Sequence, residues 1–193
     1  KDIVLSEVAL NESTNFTIDN LLIGQRPTVL FGAGGSGKSM FCTWLSVLLQ
    51  EGYMSTEHGL IVEPSNVLYL DWETDEYEIA TRTRMIHAGL GIEHPSSITY
   101  QFMGLPLVDD VDKVKDVIDR RNIDVIIVAS MGLAVSGEME NAESVLNFFR
   151  AIRQLGKTAM IISHVNRQGT IFGSAYTTNS ARSVWEAKMS GNG

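Results

Sequence analysis

Two apolar rhythms alternate along this chain. Short runs rich in β-branched and aromatic residues recur at 28–31, 66–71, 98–102, 123–129 and 158–163. Unbroken runs of this kind predict strands buried on both faces. Between them, apolar positions recur at helical spacing. Residues 39–50 end at Gly52, where a helix C-terminus favours glycine. Residues 75–89 carry Ile79, Met85 and Ile86, read as one apolar side. Val111, Val114 and Val117/Ile118 repeat within 109–121, and Val145, Phe148/Phe149, Ile152 and Leu155 repeat before Gly156. Strands and helices alternating at these lengths predict an α/β fold with right-handed crossovers, a mostly parallel central sheet and helices on both faces. Residues 1–27 read as a lead-in, 28–164 as the core, and 165–193 as a loop-rich tail with one apolar run at Val184 and Trp185. No internal repeat or second domain stands out, so 1–193 reads as a single domain.

One segment carries most of the chemistry. Gly32, Ala33, Gly34, Gly35, Ser36, Gly37, Lys38 and Ser39 form a complete phosphate-binding loop. Thr28-Val-Leu-Phe31 runs into it, and a helical pattern beginning at Met40, with Phe41, Trp44, Leu45 and Leu48, follows. Strand, glycine turn and helix N-terminus are the context this motif needs. The glycines let backbone N–H groups turn onto a triphosphate, where the helix dipole adds positive potential. Lys38 is expected to reach the β- and γ-phosphates and the Ser39 hydroxyl to ligate Mg²⁺. The chain therefore reads as a binder of a nucleoside triphosphate with Mg²⁺.

Composition narrows the partners. The chain has 193 residues, enough to bury a real core, and an ordinary apolar fraction. The longest apolar stretch, 125–135, is too short to span a bilayer, and no charged-then-apolar leader opens the sequence. A soluble, cytoplasmic protein is expected, from a bacterial, archaeal or phage-infected cell, with no membrane partner. A single cysteine, Cys42, excludes an internal disulfide and the usual thiolate cluster of a zinc site. It reads as a small apolar residue of the first helix. The net charge of −8 is unlike a free-standing nucleic-acid binder, yet compatible with nucleic acid held by a few local cations.

The remaining candidates stand at strand ends. In a doubly wound sheet, ligands sit at the carboxyl ends of the strands. Glu73, just past the run ending Leu70-Asp71, is the candidate to orient an attacking water, against the alternative of a solvated acidic turn running from Asp71 to Glu78. Asp124-Val-Ile-Ile-Val-Ala-Ser130 has the shape of a strand that ends in a magnesium-binding aspartate, but that position is Ala129. Either the enzyme is naturally weakened, or the residue was substituted to trap nucleotide. The intact remainder of the site favours the second. His164 closes the run Ile161-Ile-Ser-His, where it reads equally well as a structural residue or as a sensor of the γ-phosphate.

These motifs, followed by Asn179-Ser-Ala-Arg182, stand in an order that resembles the RecA-like P-loop ATPases, and among them the RepA-type hexameric replicative helicases and related phage or plasmid ATPases. The resemblance covers about residues 18–187. It implies Glu73 as catalytic glutamate, His164 as γ-phosphate sensor, Arg82 stacked on adenine, and Arg182 as an arginine finger given to a neighbouring subunit. Residues 139–143 resemble the loop and helix start that follow the magnesium aspartate. The family's channel loops correspond to about 132–141 and 166–174. The first is acidic and the second carries only Arg167, which argues against strong DNA binding by this chain alone.

The resulting expectation is the motor domain of a ring-forming DNA helicase or replication ATPase, a homo-oligomer, hexameric by resemblance, that moves on single-stranded DNA. One rival is a RecA/RadA-type recombination or repair ATPase. It would need an N-terminal polymerisation segment, and none is evident in residues 1–20. Another is a nucleotide-binding regulatory switch with little turnover, favoured by Ala129. A small-molecule kinase is weaker, since no arginine-rich lid follows the fourth strand.

Overall fold

The computed structural model describes residue 4 and residues 16–18, 21–55 and 60–189. Most of the lead-in segment, including nearly all of the stretch weighed as a polymerisation segment, lies outside the described residues, as do the last four residues of the tail. In chain order come β1 (Phe16–Ile18), β2 (Leu22–Ile23), β3 (Pro27–Gly32), α1 (Lys38–Glu51), β4 (Met54–Ser55) and β5 (Leu60–Ile61). Then follow β6 (Val67–Asp71), α2 (Glu76–Leu90), β7 (Thr99–Phe102), α3 (Leu107–Arg121) and β8 (Val125–Ala129). The last are α4 (Met131–Ala134), α5 (Ala142–Leu155), β9 (Thr158–His164), α6 (Tyr176–Ser180) and β10 (Ser183–Ala187).

Six strands build one sheet in the order β10-β3-β9-β8-β6-β7, with every neighbouring pair parallel. β6 and β8 are buried along their whole length. Their alternating side chains divide between two cores, as a double-sided sheet requires. Leu68, Leu70, Ile126 and Val128 face α3 and α5, packing with Val114, Ile118, Phe148 and Ile152. Val67, Tyr69, Val125 and Ile127 face α1 and α2, packing with Cys42, Leu45 and Ile79. This is the α/β architecture predicted from the alternation. Two helix starts are set by their own sequence. The Asp75 side chain accepts from Glu78 N (2.9 Å) to open α2, and Asn141 accepts from Glu143 N (2.8 Å) to open α5.

Three expectations change. Ile79 is buried in α2, but its inward partners are Thr83 and His87, while Met85 is exposed. Positions 79, 83 and 87 lie four apart and stack on one face, whereas six residues carry Met85 well round the helix. The lead-in contributes a small antiparallel ribbon, β1-β2. The tail is more than loop, because Ser183–Ala187 adds a sixth strand beside β3, in register from Ser183 opposite Thr28 to Ala187 opposite Gly32. A short strand at a sheet edge, half exposed and mixed in polarity, leaves little periodic signal, since its order comes from pairing with β3.

That last rung explains one glycine. A Cβ on Gly32 would lie 2.5 Å from Ala187 O and 2.9 Å from Ser36 Oγ. The tail strand therefore presses on the first residue of the phosphate loop, and only glycine leaves room. Gly32→Ala should lower the stability of the chain by roughly 1–3 kcal/mol, the usual cost of overpacking. Urea denaturation measures it, and an unchanged midpoint would mean that β10 does not press on the loop.

Candidate functional site

Parallel register gathers the candidate residues. Gly32 at the end of β3 lies opposite His164 at the end of β9, and Asp71 at the end of β6 lies opposite Ala129 at the end of β8. All four strands run the same way, so their carboxyl ends share one edge with the loop that follows Gly32. The loop turns tightly, with Ser36 N donating to Ala33 O at 3.2 Å. Gly37, the residue before α1, has φ +84°, the left-handed region that favours glycine. A Cβ built on Gly34, Gly35 or Gly37 would meet no protein atom within 4 Å, so the space above the loop is open.

Lys38 folds back over this loop. Its Nζ donates to Gly32 O (2.9 Å) and Ala33 O (2.8 Å) and lies 3.4 Å from Ser36 Oγ. Burial lowers its pKa below the ordinary lysine value, with the Glu73 carboxylate pulling weakly the other way. A buried cation resting on neutral carbonyls is poised to exchange them for phosphate oxygens, its stronger partners. Cys42, one turn along α1, is fully buried, and burial pushes its thiol up to about 12. It therefore stays protonated and serves packing, as its isolation in the sequence suggests.

A cleft of about 340 Å³ brings together residues 35–40 of the loop with Glu73, Arg82, Ala129, Ser130 and His164. Glu73 Oε1 accepts a short hydrogen bond from Ser130 Oγ and lies 3.7 Å from His164 Nε2. Arg82 reaches the cleft from α2 while paired with Glu78 one turn back. Met40, exposed at the start of α1, lines the same cleft.

Glu73 sits on a tightly held turn. The buried Asp71 accepts from Glu73 N (2.9 Å) and Thr74 N (3.2 Å) through Oδ1, and from Thr74 Oγ1 through Oδ2. Trp72 N donates to Ala129 O (2.8 Å), the Trp72 indole to Leu105 O (2.8 Å), and the Tyr100 hydroxyl to Thr74 O (3.0 Å). The acidic run is thus divided by role. Asp71 anchors the turn, Glu73 faces the cleft, Asp75 caps α2, and Glu76 and Glu78 stand in its first turn, where the helix dipole favours them. Asp71 and Ser130 went unassigned in the sequence reading. Each stands at or one residue past a buried strand's end, beside a residue already singled out, and that adjacency was the available signal.

Arg182 is not in this cleft. Its N–H donates to Pro27 O (2.8 Å), at the start of β3, whereas the phosphate loop follows the end of that strand. The loop edge and Arg182 therefore lie at opposite ends of the sheet within one chain.

The residues fit a nucleoside triphosphate: an open glycine loop, a lysine resting inside it and a helix N-terminus directly behind. They fit Mg²⁺ with a lean donor set. Ser39 lines the cleft, Ala129 offers no oxygen from its side chain, and Asp71 is occupied by its own turn. Among the described residues no three His, Cys, Asp or Glu gather as a metal site. Mg²⁺ would thus be held by Ser39 and chiefly by the phosphates themselves. Among the described residues no helix is long and apolar enough to cross a membrane.

Known proteins agree with this picture at the level of family and fold. A family model described as AAA domain matches residues 6–170. No curated protein matches the chain. A solved KaiC-like protein from the hyperthermophilic archaeon Pyrococcus horikoshii OT3 superposes with a TM-score of 0.60 at 14% identity, over 87% of this chain and 73% of that one.

The lowered pKa of Lys38 sets a pH dependence. Protonated Lys38 is the form that pairs with phosphate, and phosphate in turn raises its pKa. ATP affinity should therefore hold below the lowered pKa of the free protein and fall about tenfold per pH unit above it, until the pKa of the bound form is reached. Calorimetric titration across the alkaline range measures this, with Lys38→Ala losing both the affinity and its pH dependence. An Lys38→Ala variant that binds as tightly as the parent would remove Lys38 from the site.

Proposed function

This chain belongs to the AAA domain family, with a RecA-like P-loop ATPase fold, and we propose that it is the ATP-binding and ATP-hydrolysing motor domain of a ring-forming DNA helicase or replication ATPase. The observation that carries the reading is the convergence of Lys38, Glu73 and His164 on one cleft at the carboxyl edge of the sheet. Loop amides and Lys38 hold the phosphates, and Glu73, kept in place by Ser130 and the Asp71 turn, orients water toward the γ-phosphate. His164, beside Glu73, reports whether that phosphate is present. Arg82 and Met40 flank the adenine. Mg²⁺ supplies charge neutralisation on the phosphate oxygens when bound.

A head-to-tail assembly follows from this role of Arg182. An arginine at the far end of the sheet cannot serve its own phosphate loop, so completing the site with it needs a head-to-tail neighbour. The RepA-type helicases set the proposed form: a homo-oligomeric, hexameric ring in the cytoplasm around single-stranded DNA. A second reading, a nucleotide-binding switch with little turnover, is favoured by Ala129, where the strand end lacks a carboxylate.

Both readings are separated by restoring that carboxylate and mixing subunits. Ala129→Asp should raise phosphate release about tenfold to a hundredfold, the usual weight of a group that supports a metal from its outer shell. In that background, Lys38→Ala and Arg182→Ala are each inactive alone. Mixed, some interfaces pair an intact loop with an intact arginine, and activity should return as the chains co-assemble, because such fingers are worth roughly a thousandfold in rate. A revertant as slow as the parent favours the switch. A co-assembled mixture without activity removes Arg182 from the neighbour's site.

A further inference from the structure

The two edges of the sheet carry opposite charge. At the amino edge, away from the nucleotide cleft, a second cleft of about 410 Å³ is lined by Arg26, Arg153, Lys157 and Arg182, with no aspartate or glutamate in its wall. Arg182 precedes β10, Arg26 precedes β3 and Lys157 precedes β9, in the spatial order of the sheet. Strand spacing of about 4.8 Å makes them a row, and Arg153 joins from the last turn of α5. None of the four belongs to an ion pair formed among the described residues. Ile152 and Ala181 add apolar surface to the same wall. Cations so placed repel one another and are relieved by an acidic partner.

The carboxyl edge presents such a partner. There the chain leaves β6 through Glu73 and enters the first turn of α2, and Glu73, Asp75, Glu76 and Glu78 are all exposed. Asp75 and Glu76 join no ion pair among the described residues. Tyr77 stands in their midst at 76% exposure, the highest of any large apolar side chain among the described residues. Tyrosine is a residue that interfaces bury as an anchor, and the face of its ring attracts guanidinium groups. Carboxylates on both sides of it suit a cover that is cationic.

We propose that the amino-edge cleft of one copy of this chain receives the first turn of α2 of the next copy. Tyr77 enters the cleft as the anchor, and Arg153 and Lys157 pair with Asp75 and Glu76. The proposal rests on the motor reading above and names the surface that joins its subunits. Seated this way, the same edge carries Arg182 toward a triphosphate held beside the neighbour's Glu73. Two amino edges repel each other, as do two carboxyl edges, so charge alone favours head-to-tail contact over a two-fold dimer through either edge.

Sedimentation velocity of the full chain with ATP and Mg²⁺ reads the association. Parent copies should associate, and less strongly as salt rises, because the contacts join charges. Tyr77→Ala should weaken association about thirtyfold, the weight of a buried aromatic anchor. Lys157→Glu and Glu76→Lys should each weaken it about tenfold or more. Thermal unfolding close to that of the parent shows that each variant folds. Mixed in equal amounts, the last two variants can alternate, with reversed edge on reversed edge and parent edge on parent edge, and association should return to the parent level. A mixture that stays apart overturns the proposal, and so does a Tyr77→Ala chain that associates like the parent. If either happens while Arg182→Ala still abolishes turnover in the Ala129→Asp background, the docking surface falls and the motor reading stands. A parent chain that never associates with ATP overturns both readings together.

Discussion

Parallel pairing of β3, β9, β8 and β6 is the constraint on which the candidate site depends. Four strand ends arrive at one edge in fixed register, with Gly32 opposite His164 and Asp71 opposite Ala129. No side chain needs to travel for Lys38, Glu73, Ser130 and His164 to meet. A slip of one residue in either pairing would turn the end residues to the other face and dissolve the cleft. Because β6 and β8 are apolar on both faces, such a slip would only exchange which core each residue fills, so the register is held by the fit of the packed side chains and by the strand-end contacts rather than by polarity.

The site is organised as support behind a few exposed groups. Asp71 spends its whole carboxylate on the turn that presents Glu73. Trp72 fastens the same turn to β8 and to the segment after β7. Burial that holds Asp71 in place would be costly for an unpaired carboxylate, and three donors from its own turn offset that cost. Preorganisation of this kind holds Glu73 at the cleft without further rearrangement of its turn.

Much of this was legible in the sequence because the signals were local. The phosphate loop is a contiguous motif with its strand and helix attached, and buried parallel strands write themselves as unbroken apolar runs. Glu73 and His164 stand out in the sequence as strand-end residues, and both line the cleft. What escaped was set by pairing at a distance. Ser183–Ala187 is a strand because β3 lies beside it, and its own residues say little. Met85 was placed on the buried side of α2, where the helical period puts Thr83 and His87. The row of cations at the amino edge was invisible because Arg26, Lys157 and Arg182 are scattered in sequence and become neighbours only through the strand order β10-β3-β9.

Ala129 acquires a physical meaning from its partner across the ladder. It is buried on the α1 face, opposite the carboxylate-bearing Asp71. A carboxylate at 129 would stand one rung from Asp71, and two buried like charges at that distance push one of the pair toward its neutral form. A cation between the phosphates and the strand end would relieve that repulsion and let both groups stay charged. A strand end with aspartate at 129 therefore stores an unfavourable charge that Mg²⁺-nucleotide binding would release, coupling the apolar sheet to occupancy of the loop. With alanine the rung carries only the Asp71 carboxylate, which its own turn satisfies, and the empty cleft is free of that repulsion. On the proposed reading, Ala129 withholds support from the metal and steadies the nucleotide-free fold, which makes binding and turnover separable at this site.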